Sequence, residues 1–436
     1  MIKRLVREAA FRTFAFCLLP FALTSPAGAQ SVAGEVIAEL RVHGNQIATN
    51  EEVVILSGVT IGSPVTATTV AEVRKRLLDS KKFDDVDVLK RFASISDPTQ
   101  IVLVIIVSEG PVKIELGKKD GDPVKVVKKG GISNLMWFPL LDGEDGYGFT
   151  YGAKLALVNV GAPDGKVSFP LTWGGTKQAA AEYERTFKQG PFSRIQFGGG
   201  IKSRKNPAYE IDDIRRHVDV RAERAVGPLR LGAEGSLQHV SFDTDEDDFR
   251  SIGGDVEFDT RADPLHPRNA VYAIASWRHY TYGTAPTQPG IASVINRVRL
   301  EGHGYIGLVG QSVLELRAIR EDADRPLPRY MQSLLGGWRT LRGFEAGSFF
   351  GDTMVTGSME LRVPLTSALS VGKLGVSAFV DYGTVYPKGQ QFRDATFRTG
   401  FGGSVWLTAA VFQMSLAVAH GVGAGTRVNF MVGLTF

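Results

Sequence analysis

The sequence predicts an all-β transmembrane barrel of sixteen antiparallel strands, preceded by one small α/β domain. From about residue 132 onward, short segments of alternating polar and apolar residues are separated by turn residues, without a helical period. The connections between these segments are alternately long and short, which is typical of membrane barrels. Glycine accounts for 50 of 436 residues and charged residues for 22%, which excludes a coiled coil and a disordered polyelectrolyte.

The first 29 residues have the pattern of a secretory signal peptide. Basic residues at the start, an apolar run over 14–23 and small residues at 27–29 match the three regions of such a leader. The apolar run is interrupted by Pro20 and is too short for a spanning helix, which needs roughly 20 residues. The single cysteine, Cys17, lies in this segment, so the mature chain would have no disulfide and no cysteine-ligated zinc. Without the leader the net charge falls from +4 to +1, so the basic charge of the full chain is poor evidence for a nucleic-acid partner, and none is expected.

The segment after the leader is predicted to form the small α/β domain. Its first strand alternates in polarity, and its second helix carries apolar residues on one face. The predicted elements are a strand at 36–42, helices at 50–57 and 70–78, and strands at 83–89 and 101–107. We therefore divide the chain into a signal peptide (1–29), this domain (30–110), a linker (111–131) and the barrel (132–436).

The barrel prediction depends on sixteen candidate strands. They are 132–141, 147–158, 165–174, 178–188, 193–203, 212–225, 229–241, 250–261, 270–281, 293–305, 311–320, 352–363, 374–382, 395–407, 411–420 and 427–436. The alternation is clear in the last strand, where every second residue from Val428 to Phe436 is apolar. A soluble β-sandwich could alternate in the same way, but its connections need not sort by length.

Connections at one end of the predicted barrel are long and those at the other end are short. The long ones include 204–211, 242–249, 282–292, 321–351 and 383–394, and the short ones include 159–164, 189–192, 226–228 and 306–310. Acidic residues at 243–248 are interpreted as part of a solvated loop rather than a Ca²⁺ site. The longest connection, 321–351, is rich in glycine and aromatic residues, which predicts a folded plug.

Five features of the barrel follow one another in the chain: Asp-Thr-Arg-Ala-Asp-Pro-Leu at 259–265, Leu-Arg-Gly-Phe at 341–344, Ser-Met-Glu-Leu-Arg-Val-Pro at 358–364, Phe-Val-Asp-Tyr-Gly-Thr-Val at 379–385 and the terminal Phe436. These motifs, in this order, resemble those of the BamA/TamA outer-membrane assembly superfamily, also called the bacterial surface antigen family. The first domain resembles a POTRA domain, with Val-His-Gly-Asn at 42–45, Gly-Ser-Pro at 62–64 and Lys-Phe-Asp-Asp-Val at 82–86. This chain differs from the family pattern in the number of POTRA domains. One POTRA domain is found here, whereas BamA has five and TamA has three.

The resemblance implies that the longest connection dips into the lumen. Its Arg342, followed by Gly343 and Phe344, would then pair with acids on two neighbouring strands. Those acids would be Glu360 and Asp381, which both lie on the inward face in the predicted alternation. A buried ion pair of this kind would latch the loop to the barrel wall. The alternative is that these are ordinary polar residues of the lumen.

The seam between the first and last barrel strands is the second candidate site. Pro139 removes a ladder donor from the first strand, and Gly433 weakens the last strand, which ends at Phe436. As the resemblance implies, such a seam could open sideways and offer its edge to an incoming β-segment. The alternatives are that every barrel must close somewhere and that Pro139 lies just outside its strand.

The third candidate site is the POTRA strand at 83–89. Phe83, Val86 and Val88 could bind extended client chains by strand addition. The acidic residues interleaved with them could equally protect a sheet edge from aggregation.

No catalytic, cofactor or metal motif is present, so the chain is not expected to be an enzyme. The resemblance implies a protein of the outer membrane of a Gram-negative bacterium, with its POTRA domain in the periplasm. It would assist the insertion, assembly or translocation of other proteins. The expected partners are outer-membrane lipid and unfolded β-barrel clients, with periplasmic chaperones or lipoproteins as further candidates. The alternatives are a two-partner-secretion transporter and a passive pore or structural surface antigen.

Overall fold

The structure is a computed structural model of the chain. It describes residues 34–45, 47–93, 97–109, 112–115, 125–128, 135–162, 164–187, 189–366, 372–409 and 412–434. The predicted signal peptide and the terminal Phe436 lie outside these residues.

The first domain has the predicted order of elements. They are β1 (Val36–His43), α1 (Asn50–Ser57), α2 (Thr69–Asp79), β2 (Asp85–Phe92) and β3 (Gln100–Ser108). Thr49 caps the start of α1 through its hydroxyl, and Gly58 ends that helix in a left-handed conformation. Among the described residues, neither of the two α-helices is long and apolar enough to cross a membrane.

The three strands form a sheet of order β1-β3-β2, with β1 parallel and β2 antiparallel to the central β3. Both helices pack on it, because their apolar residues and those of β3 share one buried core. Its fully buried members include Ile37, Val53, Val73, Leu77, Ile101, Leu103 and Ile105. The region therefore fits the single POTRA-like domain that the sequence predicts. Two short paired strands, β4 (Val112–Glu115) and β5 (Lys125–Lys128), follow within the predicted linker.

Sixteen antiparallel strands then close into a barrel, which confirms the predicted fold class and strand number. Eleven precede the long connection: β6 (Leu135–Glu144), β7 (Gly148–Val158), β8 (Gly165–Gly174), β9 (Thr176–Thr186), β10 (Arg194–Asn206), β11 (Ile211–Val226), β12 (Leu229–Phe242), β13 (Asp245–Asp259), β14 (Ala270–Tyr282), β15 (Val294–Gly307) and β16 (Val313–Ala323). Within the connection are β17 (Ser333–Leu335) and β18 (Phe349–Gly351), and after it come β19 (Thr353–Thr366), β20 (Gly372–Tyr386), β21 (Arg398–Ala409), β22 (Phe412–Gly421) and β23 (Gly425–Leu434).

Two of the predicted long connections are wrong. Phe242 pairs directly with Asp245, so β12 and β13 meet in a two-residue turn instead of the loop 242–249. Likewise β10 runs to Asn206 and β11 begins at Ile211. At the opposite end, the connection 260–269 is long although short turns were expected there.

The acidic cluster at 243–248 is correspondingly not a solvated loop. Asp245 and Asp247 are buried inside the barrel wall, where they bind residues of the long connection. The guanidinium of Arg329 donates to Asp245 at 2.8 Å, and the hydroxyl of Tyr330 donates to Asp247 at 2.5 Å. The acidic pattern was misread because these partners lie more than 80 residues away in sequence.

Candidate functional site at the plug and the barrel seam

The long connection, residues 324–352, is a folded plug inside the barrel. Its strands β17 and β18 pair with each other, from Ser333 with Gly351 to Leu335 with Phe349. Leu335, Leu341 and Phe344 are buried against Ile319 and Met354 of the barrel wall. The plug is therefore held by apolar contacts as well as by charge. We call the barrel end that carries the plug connection the plug rim, and the end that carries 260–269 the domain rim.

Arg342 is the most extensively bonded residue of the plug. Its guanidinium donates twice to the Asp381 carboxylate, each at 2.8 Å, and once to Glu360 at 2.5 Å. Its backbone amide also donates to Asp381 at 3.0 Å. Ser358 donates to Asp381 at 2.7 Å and accepts from Arg342 at 3.1 Å. The structure thus brings together the arginine and both acids named from the sequence.

Burial makes this cluster strong. The side chain of Asp381 is 0% exposed and that of Arg342 is 3% exposed. The Arg342 guanidinium also lies 3.4 Å from the centroid of the Phe379 ring. Bidentate, charge-assisted hydrogen bonds fix both distance and orientation. The plug is consequently attached to β19 and β20 at a defined register.

Gly343 permits the plug backbone to approach the barrel wall. It has φ +94°, and a Cβ at this position would lie 2.6 Å from the backbone nitrogen of Gly421. Phe344 follows and is 6% exposed, with its ring over the same Gly421. The Arg-Gly-Phe run therefore combines a cation, a residue without a side chain and an apolar anchor.

The seam between β6 and β23 is short. Among the described residues it consists of three residue pairs, from Met431 with Glu144 to Gly433 with Asp142. The neighbouring pairs of strands, β22 with β23 and β6 with β7, each have ten. Pro139 lies within β6 and pairs with Ala153 of β7, so it is not outside the strand. On the seam side, Pro139 has no partner strand among the described residues.

The plug also contacts both sides of this seam. Arg339 donates to Glu144 at the end of β6 at 2.7 Å, and the Glu144 side chain is 4% exposed. Glu345 lies 3.6 Å from Arg427 of β23, and Arg427 lies 3.9 Å from Asp145, next to Glu144. Sequence reasoning missed these bridges, since Glu144 and Arg339 are 195 positions apart.

Polar groups next to the seam are poorly satisfied. Asn429 of β23 is 0% exposed, and neither atom of its amide has a hydrogen-bond partner among the described residues. One carboxylate oxygen of Asp145 and the Nε of Arg427 also have none there. Unsatisfied buried groups cost free energy, and these three residues lie on or beside the two strands of the seam.

The predicted client edge of the POTRA-like domain is differently arranged. Phe83, Val86 and Val88 are 4%, 1% and 2% exposed, so their side chains belong to the core. β2 is an edge strand, but the amides of Val86 and Val88 donate to the carboxylates of Asp85 and Asp87 at 2.9 Å. These bonds occupy edge donors that strand addition would need, which favours edge protection.

Residues 145–436 match the Omp85 superfamily domain. The chain belongs to the Omp85 superfamily. This agrees with the resemblance to the BamA/TamA superfamily that the barrel motifs indicated.

Solved structures show the same fold as this Omp85 chain. BamA from Haemophilus ducreyi lacking POTRA domains 1–3 superposes with a TM-score of 0.58 at 14% identity, covering 92% of this chain and 85% of that one. CdiB from Escherichia coli superposes with a TM-score of 0.51 at 12% identity, covering 95% of this chain and 92% of that one. No curated protein sequence matches the chain.

In this Omp85 chain the POTRA-like domain is joined to the domain rim by a buried ion pair. Arg91 of β2 donates to Asp263 at 3.1 Å, and their side chains are 7% and 3% exposed. Burial raises the pKa of Asp263 although Arg91 opposes the shift. Asp263 lies in the sequence motif at 259–265, but its partner could not be identified from that motif.

Proposed function

We propose that this chain assists the insertion or assembly of other β-barrel proteins in the outer membrane of a Gram-negative bacterium. The observation that carries the proposal is the seam itself, which has three residue pairs among the described residues, where the adjoining pairs of strands each have ten. With the signal peptide and the POTRA-like domain first, the domain rim would face the periplasm and the plug rim the cell exterior. Unfolded barrel proteins and outer-membrane lipid would be its partners.

The seam supports a mechanism that needs no chemical energy. Opening the three described residue pairs would break fewer ladder hydrogen bonds than opening the ten pairs of β6 with β7. Once open, the edges of β6 and β23 would expose unpaired amides and carbonyls, which have no water to bind within a bilayer. A client strand that pairs with such an edge would relieve this cost.

In this mechanism the plug would control the seam. Arg342 would attach the plug to β19 and β20, while Arg339 and Glu345 reach the two strands of the seam. Release of these bridges would then be coupled to opening. The structural likeness to CdiB keeps a secretion transporter as the alternative function. A transporter would have to move the plug from the lumen, whereas an insertase would have to open the seam.

A reversible crosslink distinguishes these functions. The only cysteine, Cys17, lies in the predicted leader, so Asp142→Cys with Gly433→Cys would place one disulfide across the seam of the mature chain. The matched control, Ser404→Cys with Ala417→Cys, links β21 to β22. Both proteins are placed in liposomes, and folding of an unfolded small barrel client is followed.

We expect wild type and oxidised control to accelerate client folding equally. The oxidised seam variant should lose the acceleration and regain it on reduction. Full acceleration with the seam locked would refute the lateral mechanism. No acceleration by any form, together with passage of a substrate through the lumen, would favour a transporter.

A further inference from the structure

We propose that the outer wall of the barrel binds the phosphate groups of a lipid whose headgroup carries phosphate monoesters, in the leaflet at the plug rim. The site is an open groove of about 630 Å³ across β11 to β14. The proposal requires that the barrel spans the membrane, but it does not depend on insertase activity. Side chains on the outer face that line the groove are Arg216, Val218, Leu237, His239, Asp248 and Arg250.

The strand alternation places these side chains on the membrane side. Along β13, Asp247 and Phe249 are buried toward the plug, whereas Asp248 and Arg250, which alternate with them, are exposed. On the neighbouring strand β12, Leu237 is 63% exposed and belongs to the same face. Since successive residues of a strand point to opposite faces, the exposed set faces outward.

Two cations of the groove are uncompensated. Neither Arg216 nor Arg250 has an ion-pair or hydrogen-bond partner among the described residues, although both lie on the outer face. The inward-facing arginine next to Arg216 is paired, since Arg215 lies 2.6 Å from Asp213. The nearby carboxylate of Asp248 is engaged by His239 at 2.9 Å. The groove therefore presents two guanidinium groups that have no ion-pair partner among the described residues, beside one carboxylate bound to a histidine.

The pairing register places these two cations two residues apart along the strand direction, on either side of β12. Arg216 is opposite His239, and Arg250 is opposite Leu237 on the same strand β12. Two strand spacings of about 4.8 Å separate β11 from β13, and both long arginine side chains line the same groove, so a headgroup in it would lie between the two guanidinium groups. Apolar residues continue from here toward the middle of the barrel. They include Val218, Val220, Leu237, Ile252 and Val256, all exposed.

The cations and the apolar residues below them match the two parts of a lipid, its charged headgroup and its acyl chains. Guanidinium groups bind phosphate oxygens in a bidentate manner, and acyl chains would lie on the apolar residues below them. A phosphate monoester carries ≈ −1.5 to −2 at pH 7, which matches two cations better than the single charge of a phosphodiester. Charge complementarity therefore favours a lipid with monoester phosphates over an ordinary phospholipid.

The test measures lipid binding to the purified full chain in detergent micelles by native mass spectrometry. The probes are diphosphorylated lipid A and phosphatidylglycerol. The variant is Arg216→Gln with Arg250→Gln, and the matched control is Arg224→Gln, an exposed arginine of β11 near the other rim. Retained barrel structure is checked by the mobility of unheated protein on gels.

We expect wild type and control to bind lipid A alike and the double variant to bind it at least fivefold more weakly. Phosphatidylglycerol should bind more weakly than lipid A and respond less to the variant. Undiminished lipid A binding by the double variant would overturn the proposal, as would equal loss of both lipids. If the double variant does not fold, Arg216→Lys with Arg250→Lys replaces it, and unchanged lipid A binding there would count against the bidentate contacts.

Discussion

Arg339 of the plug donates to Glu144 at the end of the first barrel strand at 2.7 Å, although the two residues are 195 positions apart. This bond connects the plug to one side of the seam, while Glu345 lies 3.6 Å from Arg427 on the other side. The latch at Arg342 and the seam, predicted as separate sites, are therefore joined through one loop.

The Arg339–Glu144 bond predicts a more mobile seam when it is removed. In Arg339→Gln the nearly buried Glu144 carboxylate loses its cationic partner, which is costly. We expect more frequent opening events in single-channel recordings from planar bilayers. The control is Arg393→Gln, since Arg393 forms an exposed ion pair with Asp394 away from the seam. Identical opening frequencies in both variants would contradict the role of the bridge.

The Arg342 cluster predicts that its loss frees the plug more than it disturbs the barrel. Arg342→Ala leaves Asp381 buried without its cation, at a cost of ~3–5 kcal/mol. Trypsin should then cleave within 324–352, while the unheated barrel keeps its mobility on gels. Arg342→Lys should be intermediate, because an ammonium group cannot bind in the bidentate manner of a guanidinium. A plug as resistant as wild type in Arg342→Ala would show that apolar contacts suffice.

The crowding at Gly343 predicts that alanine there destabilises the protein more than alanine at Gly389, a glycine of similar conformation. Gly343 and Gly389 have φ +94° and +98°, but only at Gly343 would a Cβ collide with neighbouring backbone. Each alanine substitution lowers the free energy of unfolding by roughly 1–2 kcal/mol because of the left-handed backbone. Gly343→Ala should lower the thermal unfolding temperature clearly further than Gly389→Ala. Equal shifts would mean that the plug backbone can move away at no cost.

His266 at the domain rim predicts a pH-dependent stability. Burial lowers its pKa well below 6.5, and the cations Lys373 and Arg91 act in the same direction. The folded chain then binds fewer protons here than the unfolded chain, so this contribution is present above pH 6.5 and is lost as pH falls. Each pH unit below 6.5 removes up to about 1.4 kcal/mol.

Thermal unfolding between pH 5 and pH 8 checks this effect. His266→Asn should show a flatter loss of stability toward acid than wild type. His43→Asn is the control, because His43 lies at the end of β1 in the other domain. Parallel curves for wild type and His266→Asn would contradict the assignment.

Much of the architecture follows from local sequence. Alternation with period two specifies which face of each strand is buried, so the number of strands and the inward side chains of Glu360 and Asp381 could be predicted, although the ends of several strands could not. The Arg-Gly-Phe run likewise has a local signature, because only glycine accepts the conformation and crowding found at Gly343.

The remaining features depend on contacts between distant parts of the chain. Asp245 and Asp247 have a solvated pattern in sequence, yet they are buried because Arg329 and Tyr330 reach them from the plug. Arg91 and Asp263, like Arg339 and Glu144, acquire partners only when the chain has folded. The sequence by itself therefore determined the strands and the direction of their side chains, since both depend on neighbouring residues. Tertiary structure alone decided the pairs Arg91–Asp263, Arg339–Glu144 and Arg329–Asp245 and the length of the described seam, because barrel closure brings together groups that no local pattern relates.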